Sequence, residues 1–175
     1  FFFYYLYKLK TGLIFSRNKK IILRNNVSLW AKKNAMTESK TIITSDFTAE
    51  LNQLLNEWQG NKIFILTDEH TEKFCLPEVM KCSMAEGSHI ITIEHGDNHK
   101  NIDSAVKIWT LLTEKGATRK SLMINLGGGM ITDIGGFTAS TFKRGLSYIN
   151  IPTTLLGAVD AATGGKTGLN FRGLK

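Results

Sequence analysis

From residue 41 onward, short apolar runs alternate with stretches whose apolar residues recur at helical spacing, which predicts an α/β domain built on a parallel sheet. TIIT at 41–44 reads as a strand. Asp46 follows as a candidate helix cap, and Phe47, Leu51, Leu54, Leu55 and Trp58 recur on one face before Gly60 stops the helix. KIFILT at 62–67 reads as a second strand. Between 69 and 88 the pattern is weak and Pro77 breaks any long helix, so one short helix and a turn are expected. HIITIE at 89–94 is a third strand, a polar loop occupies 95–100, and a helix is expected from Ile102 to Lys115. Its buried side would carry Ile102, Ala105, Val106, Trp109 and Leu112, with Gly116 as its stop. SLMINL at 121–126 is the fourth strand and runs directly into Gly127, Gly128 and Gly129. A helix from Met130 to Phe142 and a fifth strand, LSYINIP at 146–152, complete the series. Open α/β sheets bind ligands beyond the carboxyl ends of their strands, so chemistry is expected in the loops after 67, 94, 126 and 152.

The 175 residues are 42% hydrophobic and 21% charged, an ordinary globular balance with apolar material for one core. A formal charge of +7 raises the question of an anionic partner, but the charge is unevenly placed. Of 22 basic residues, eight (Lys8, Lys10, Arg17, Lys19, Lys20, Arg24, Lys32, Lys33) fall in residues 1–35, which hold no acid; the other 14 face 15 acids. Residues 36–175 are therefore near neutral and offer no basic cluster to track a phosphate backbone, which argues against a nucleic-acid partner. The same asymmetry suggests a basic, aromatic extension over residues 1–35 lying outside the fold, followed by an α/β domain over 36–175. The first methionine is Met36, so residues 1–35 read as upstream translated sequence or the remnant of a larger chain. The opening FFFYYLYKLKTGLIF is neither a secretory signal nor a membrane span, because Lys8 and Lys10 interrupt it too early; a cytoplasmic protein is expected. Cys75 and Cys82 match no zinc spacing and make no disulfide framework. His95 and His99 would share a helix face, but Gly96 and Asp97 between them favour a loop.

The strongest chemical signal is the strand, triple glycine, helix sequence. Glycines let the main chain approach a ligand and aim amide N–H groups at an anion, and the helix dipole adds positive potential there. A pyrophosphate fits such a place, although a tight structural turn fits it too. The run is not the common dinucleotide fingerprint, which would need glycine where Thr132 stands, and GGKT is not a Walker loop, because Asp160 replaces the required glycine. Asp133 lies one turn into the helix and Arg144 near its end. Thr153 and Thr154 follow the last strand, and Asp160 and Lys166 crowd into the same glycine-rich stretch. Arg144 and Lys166 are candidates to hold a phosphate or carboxylate, and the threonine hydroxyls to meet a cofactor.

LGGGMITDIGGFTASTFKRGLSYINIPTTLLGAVDAATGGKTGLN, residues 126–170, closely resembles the 3-dehydroquinate synthase signature GGG-x-x-x-D-x-x-G-F-x-A-x-x-x-x-RG followed by PTTLL-x-x-x-D-x-x-x-GGKT. Over 37–125 the resemblance is weaker and rests on strand order, TDE at 67–69 and HGDNHK at 95–100. The resemblance implies a Rossmann-like parallel sheet flanked by helices, the N-terminal half of a dehydroquinate-synthase-like fold, truncated before a helical metal-binding domain. It implies a carbon–oxygen lyase that cyclises 3-deoxy-D-arabino-heptulosonate 7-phosphate to 3-dehydroquinate plus phosphate in the shikimate pathway to aromatic amino acids. NAD oxidises one alcohol and is then restored, and a divalent metal, zinc or cobalt, polarises the oxygen. By position, Gly128 and Gly129 would meet the pyrophosphate, with Asp133, Thr153, Thr154 and Leu156 on the nicotinamide side. Asp68, Asp97 and Lys100 would serve the adenosine ribose and its surroundings. Asp160, Lys166 and Lys175 would lie near substrate and cofactor, and Arg144 resembles a substrate-phosphate contact across a homodimer interface. The family's metal ligands, a glutamate and two histidines, lie downstream of residue 175, so no metal ligand is assigned here and the chain alone is expected to bind NAD poorly and turn over nothing. Two departures stand out: Asp97 replaces the usual glutamate, and RGLK at 172–175 replaces PLGKN, exchanging Gly173 and Leu174 beside Lys175. Other readings are a 2-deoxy-scyllo-inosose or valiolone synthase, the amino-analogue enzyme, a glycerol-dehydrogenase-like relative, and a non-catalytic nucleotide-binding module.

Overall fold

The computed structural model describes residues 21–26, 40–162, 167–172 and 174. Four parallel strands form one side of a six-stranded sheet, out to its edge at β4: β3 (Ile63–Asp68), β4 (His89–Ile93), β5 (Leu122–Gly127) and β6 (Ser147–Pro152). Their spatial order is β6-β5-β3-β4, with Phe64 opposite His89, Ile63 opposite Leu122, and Leu122 opposite Ser147. Every residue of β3 and β5 is buried, because helices cover both faces of a parallel sheet; this explains why these runs read as continuously apolar.

On one face α1 (Phe47–Leu55) packs Leu51, Leu54 and Leu55, with Trp58 from the following 3-10 turn, against Ile63, Ile65, Ile124 and Ile149. Asp46 caps α1 as its sequence suggests, its carboxylate accepting the Ala49 N–H at 3.1 Å. The opposite face is covered by α4 (Ile102–Glu114) and α5 (Gly129–Thr141), which bury Ile108, Leu112, Ile131 and Ile134 against Phe64, Leu66, Met123 and Tyr148.

Three expectations are corrected. Residues 69–88 hold two short helices, α2 (Glu69–Phe74) and α3 (Leu76–Val79), and a 3-10 turn at Ser83–Ala85, where one helix was expected; Pro77 sits in the first turn of α3, a position that needs no N–H donor, and so helps start a helix. On α4, Ile102 and Val106 are 43% and 49% exposed, whereas Ile108 is fully buried and Trp109 half-buried. The apolar arc is wide enough to fit two rotations, and tertiary packing selects the one through Ala105, Ile108 and Leu112. Finally, residues 21–26, assigned to an extension outside the fold, form β1 (Ile21–Asn26), antiparallel to both β6 and β2 (Lys40–Thr44). TIIT therefore joins the sheet through β1 and not as a member of the parallel series, which makes the sheet mixed at that end. The basic residues around IILRNN masked a short β-branched run.

Candidate functional site

The chain leaves β3 for β4 on one side, then returns to place β5 on the other side of β3. This reversal splays the connections after β3 and β5 at their carboxyl ends, the switch point where such sheets bind nucleotides. Asp68 ends β3 at this point and Gly127 ends β5. Gly128 stands in the N-cap position of α5 with φ of −75° and ψ of −168°, in the β region, and no side chain caps the helix. Among the described residues, the first amide of α5 to return to the chain is Thr132 N–H, on the Gly128 carbonyl at 3.1 Å, so no hydrogen bond to a described residue takes up the N–H groups of the first turn of this thirteen-residue helix, which has no side-chain cap.

The glycines are required by packing as well as by ligand access. A Cβ on Gly127 would lie 2.5 Å from Ile131 Cβ, and one on Gly128 3.1 Å from Thr154 Cγ2. Farther along α5, a Cβ on Gly135 would collide with the Asn125 amide, and one on Gly136 with the Thr167 methyl. The small-residue side of α5 thus lets the helix lie close to the sheet and lets the segment after β6 lie close to the turn.

That segment begins with Thr153, buried, whose N–H extends the β5–β6 pairing by donating to Gly127 O at 2.9 Å. Thr154 accepts the Gly157 N–H on its hydroxyl at 3.1 Å and so starts a helical segment that includes a π-turn over Gly157–Ala161. Leu156 and Val159 are 70% and 60% exposed there, leaving an apolar surface beside the glycine turn, and Asp160 is exposed on the same turn.

On the other flank, Lys100 brings two expected site regions together. Its ammonium lies 3.1 Å from Asp133 Oδ2 on α5 and 3.3 Å from Asp97 Oδ1 in the loop after β4. The positions expected at the adenosine and nicotinamide ends are therefore joined in one ion cluster. Burial lowers the Lys100 pKa, but hydrogen bonding and charge from Asp133 and then Asp97 outweigh it, and the net shift is upward. Asp133 Oδ1 is buried and has no hydrogen-bond donor among the described residues. Asp68 does structural work: its Oδ1 accepts from His70 N at 2.9 Å and Thr71 N at 2.8 Å, and Thr71 Oγ1 accepts the Asp68 N–H in return, a capping box on α2.

Arg144 does not join this group. It lies in the turn before β6, exposed, with φ of 71°, at the amino edge of the sheet. The length of β5, six residues or about 16 Å, separates that edge from the glycine turn. Lys166 and Lys175 fall outside the described residues. A shallow depression lined by Ile93, Glu94, His99, Asn101, Ser104 and Lys107 opens between β4 and α4, and no residue of the glycine turn lines it. The sequence reading missed Asn170, which bonds the Asp97 loop; nothing in its local pattern separates it from a surface asparagine. Among the described residues, no group of three or more His, Cys, Asp and Glu side chains is arranged to hold a metal ion, and no helix is long and apolar enough to cross a membrane.

Residues 90–175 match the N-terminal family profile of 3-dehydroquinate synthase. The 3-dehydroquinate synthase of Parabacteroides distasonis is 50% identical over 140 residues, which cover 80% of this chain and 40% of that protein. That of Pyrococcus furiosus is 44% identical over 132 residues, covering 75% of this chain and 39% of that one. The chain thus spans about two fifths of the length of these curated relatives. Among solved structures, a 2-deoxy-scyllo-inosose synthase complexed with carbaglucose-6-phosphate, NAD+ and Co2+ superimposes with TM-score 0.63 at 19% identity, over 85% of this chain and 40% of that one. A 2-epi-5-epi-valiolone synthase from Streptomyces hygroscopicus with NAD+ and Zn2+ bound gives TM-score 0.57 at 27% identity, over 64% of this chain and 32% of that one. The fold is that of the sugar-phosphate cyclases. Within that class, the chain belongs to the 3-dehydroquinate synthase family.

Proposed function

We propose that this chain is the dinucleotide-binding part of a 3-dehydroquinate synthase, a cytoplasmic homodimer that converts 3-deoxy-D-arabino-heptulosonate 7-phosphate to 3-dehydroquinate and phosphate. The observation that carries the proposal is the uncapped start of α5 behind Gly127–Gly129, at the switch point between β3 and β5. The rival cyclases share this fold, but the relatives of higher sequence identity are 3-dehydroquinate synthases.

The residues fit NAD. Main-chain N–H groups of Gly128, Gly129 and the first turn of α5 would hold the pyrophosphate, where the helix dipole is favourable. The buried, donorless Asp133 Oδ1 is an acceptor for a ligand N–H, such as the carboxamide of nicotinamide. Lys100, Asp97 and Asp133 together carry one net negative charge, which suits ribose hydroxyls and a cationic pyridinium better than a phosphate. Thr153 and Thr154 would bound the ring, and exposed Leu156 would form an apolar wall that excludes water. Asp68, Lys175, Asp160 and Lys166 would take the roles that the family resemblance gives them, and Arg144 would reach the site of a second subunit. When bound, NAD supplies reversible hydride removal from a substrate alcohol. A divalent metal, Co2+ or Zn2+ as in the two cyclase structures, would complete the enzyme with ligands from outside the residues described.

The test is direct. The complete protein, given the heptulosonate phosphate, NAD+ and Zn2+ or Co2+, should release phosphate and form 3-dehydroquinate, and Gly128→Val should abolish NAD+ binding in calorimetry. Turnover of glucose 6-phosphate in place of the heptulosonate would reassign the substrate. Full NAD+ affinity in Gly128→Val would remove the glycine turn from the site.

A further inference from the structure

An exposed aspartate that recognises a ribose has to be held still, since its side chain otherwise samples several rotamers and ordering it weakens binding. Asp97 is 57% exposed, and it is one methylene shorter than the glutamate that the family resemblance implies at this position. Its carboxylate is nevertheless gripped from two directions. Lys100 lies 3.3 Å from Oδ1, and the Asn170 amide nitrogen donates to Oδ2 at 2.9 Å. The same nitrogen donates to the Asp97 carbonyl at 2.9 Å, so side chain and main chain of Asp97 are fixed by one group. These two acceptors settle the amide orientation, because the reverse rotamer would set oxygen against oxygen. Asn170 is itself tied down: its N–H donates to Lys100 O at 2.7 Å, and Gly168 N–H reaches Asp133 O at 3.3 Å. Its own Oδ1 is buried without a partner among the described residues, a cost the segment bears while its donor end is committed to Asp97.

We infer that Asn170 is a positioning residue of the dinucleotide site, which holds the Asp97 carboxylate at the reach that a longer glutamate attains unaided. The inference rests on the proposed role of Asp97 toward the ribose. Its consequence is that the segment 167–170 and the loop 97–100 bind nucleotide as one unit.

The test uses calorimetric titration of the complete protein with NAD+ and with ADP-ribose, which shares the adenosine ribose and lacks the nicotinamide. Asn170→Ala should weaken both ligands roughly tenfold, the value of a hydrogen bond to a charged group. Asn170→Asp keeps the shape, removes the donor and should lose at least as much, which covers the case in which the alanine variant folds poorly. In an Asp97→Glu background, the loss on Asn170→Ala should fall to less than about twofold, because the longer carboxylate no longer needs the tether. The KM for NAD+ should rise with kcat held within about twofold. Equal losses in both backgrounds, or unchanged affinity in Asn170→Ala and Asn170→Asp, would overturn the inference alone. Failure of the unsubstituted protein to bind NAD+ would instead remove the dinucleotide reading on which it stands.

Discussion

Lys100 sits between Asp97 and Asp133 with its side chain only 11% exposed, and its charge holds two carboxylates in one small volume. The net upward shift of its pKa fixes the sign of a pH effect. A lysine whose folded pKa exceeds the unfolded value of 10.5 contributes stability that is complete below 10.5 and is lost as pH rises through the folded value. Lys100→Met should therefore destabilise the protein by about 1–3 kcal/mol at neutral pH, since it leaves two carboxylates without their donor. In urea denaturation the gap between the two proteins should stay level to about pH 10 and close above it; a gap that instead widens in alkali would show that the ammonium does not stabilise the cluster. The cluster was only partly legible in the sequence. Asp97, Lys100 and Asp133 were each identified through a motif, yet no spacing rule connects residue 100 to residue 133. Asp68 was expected to serve a ribose, but at least one of its oxygens is spent on the capping box of α2, a role its position before EHT would equally have predicted.

Elements were read well where one physical signal dominated. β3 and β5 are buried on both faces, so their composition alone marks them, and Asp46, Gly60 and Gly116 bound their helices as expected, the glycines with φ of 78° and 67°. Reading failed where two signals competed. On α4 the apolar positions permit two rotations of the helix, and only the packed sheet and α5, with Trp109 Nε1 donating to Thr138 O at 3.2 Å, choose between them. That choice has a thermodynamic signature. Ile108→Ala should cost about 2–4 kcal/mol, the range for truncating a fully buried aliphatic side chain. Val106→Ala, on the exposed flank, should cost no more than about 0.5 kcal/mol, as surface substitutions do. Denaturant midpoints of the two variants decide the matter, and a reversed order would restore the rotation expected from sequence. β1 was missed for a different reason: pairing with β6 and β2 is a long-range fact, and a six-residue strand in a basic stretch has little local signal.

At the scale of the whole molecule, the candidate site residues fall on two edges of the sheet. The carboxyl edge carries the glycine turn, Asp68, the Lys100 cluster and the segment after β6, whereas Arg144 stands at the amino edge beside the start of β6. Consecutive left-handed φ values of 47° at Lys143 and 71° at Arg144 hold this turn in a conformation that costs strain, and Lys143 anchors it by donating to Ala117 O at 2.8 Å. If Arg144 meets the substrate phosphate, as the family resemblance implies, its place so far from its own glycine turn sends it to another copy's site, which the proposed two-fold dimer would supply symmetrically. Subunit mixing tests this geometry. Arg144→Ala and Asp160→Ala should each inactivate the homodimer of the complete enzyme. Co-expressed in equal amounts, they should recover about a quarter of normal activity, because half the dimers are mixed and each mixed dimer has one site with both residues intact. If Arg144 acted within its own chain, no mixed dimer would contain an intact site and the mixture would stay inactive, so activity in the mixed dimer locates this arginine on the partner's substrate.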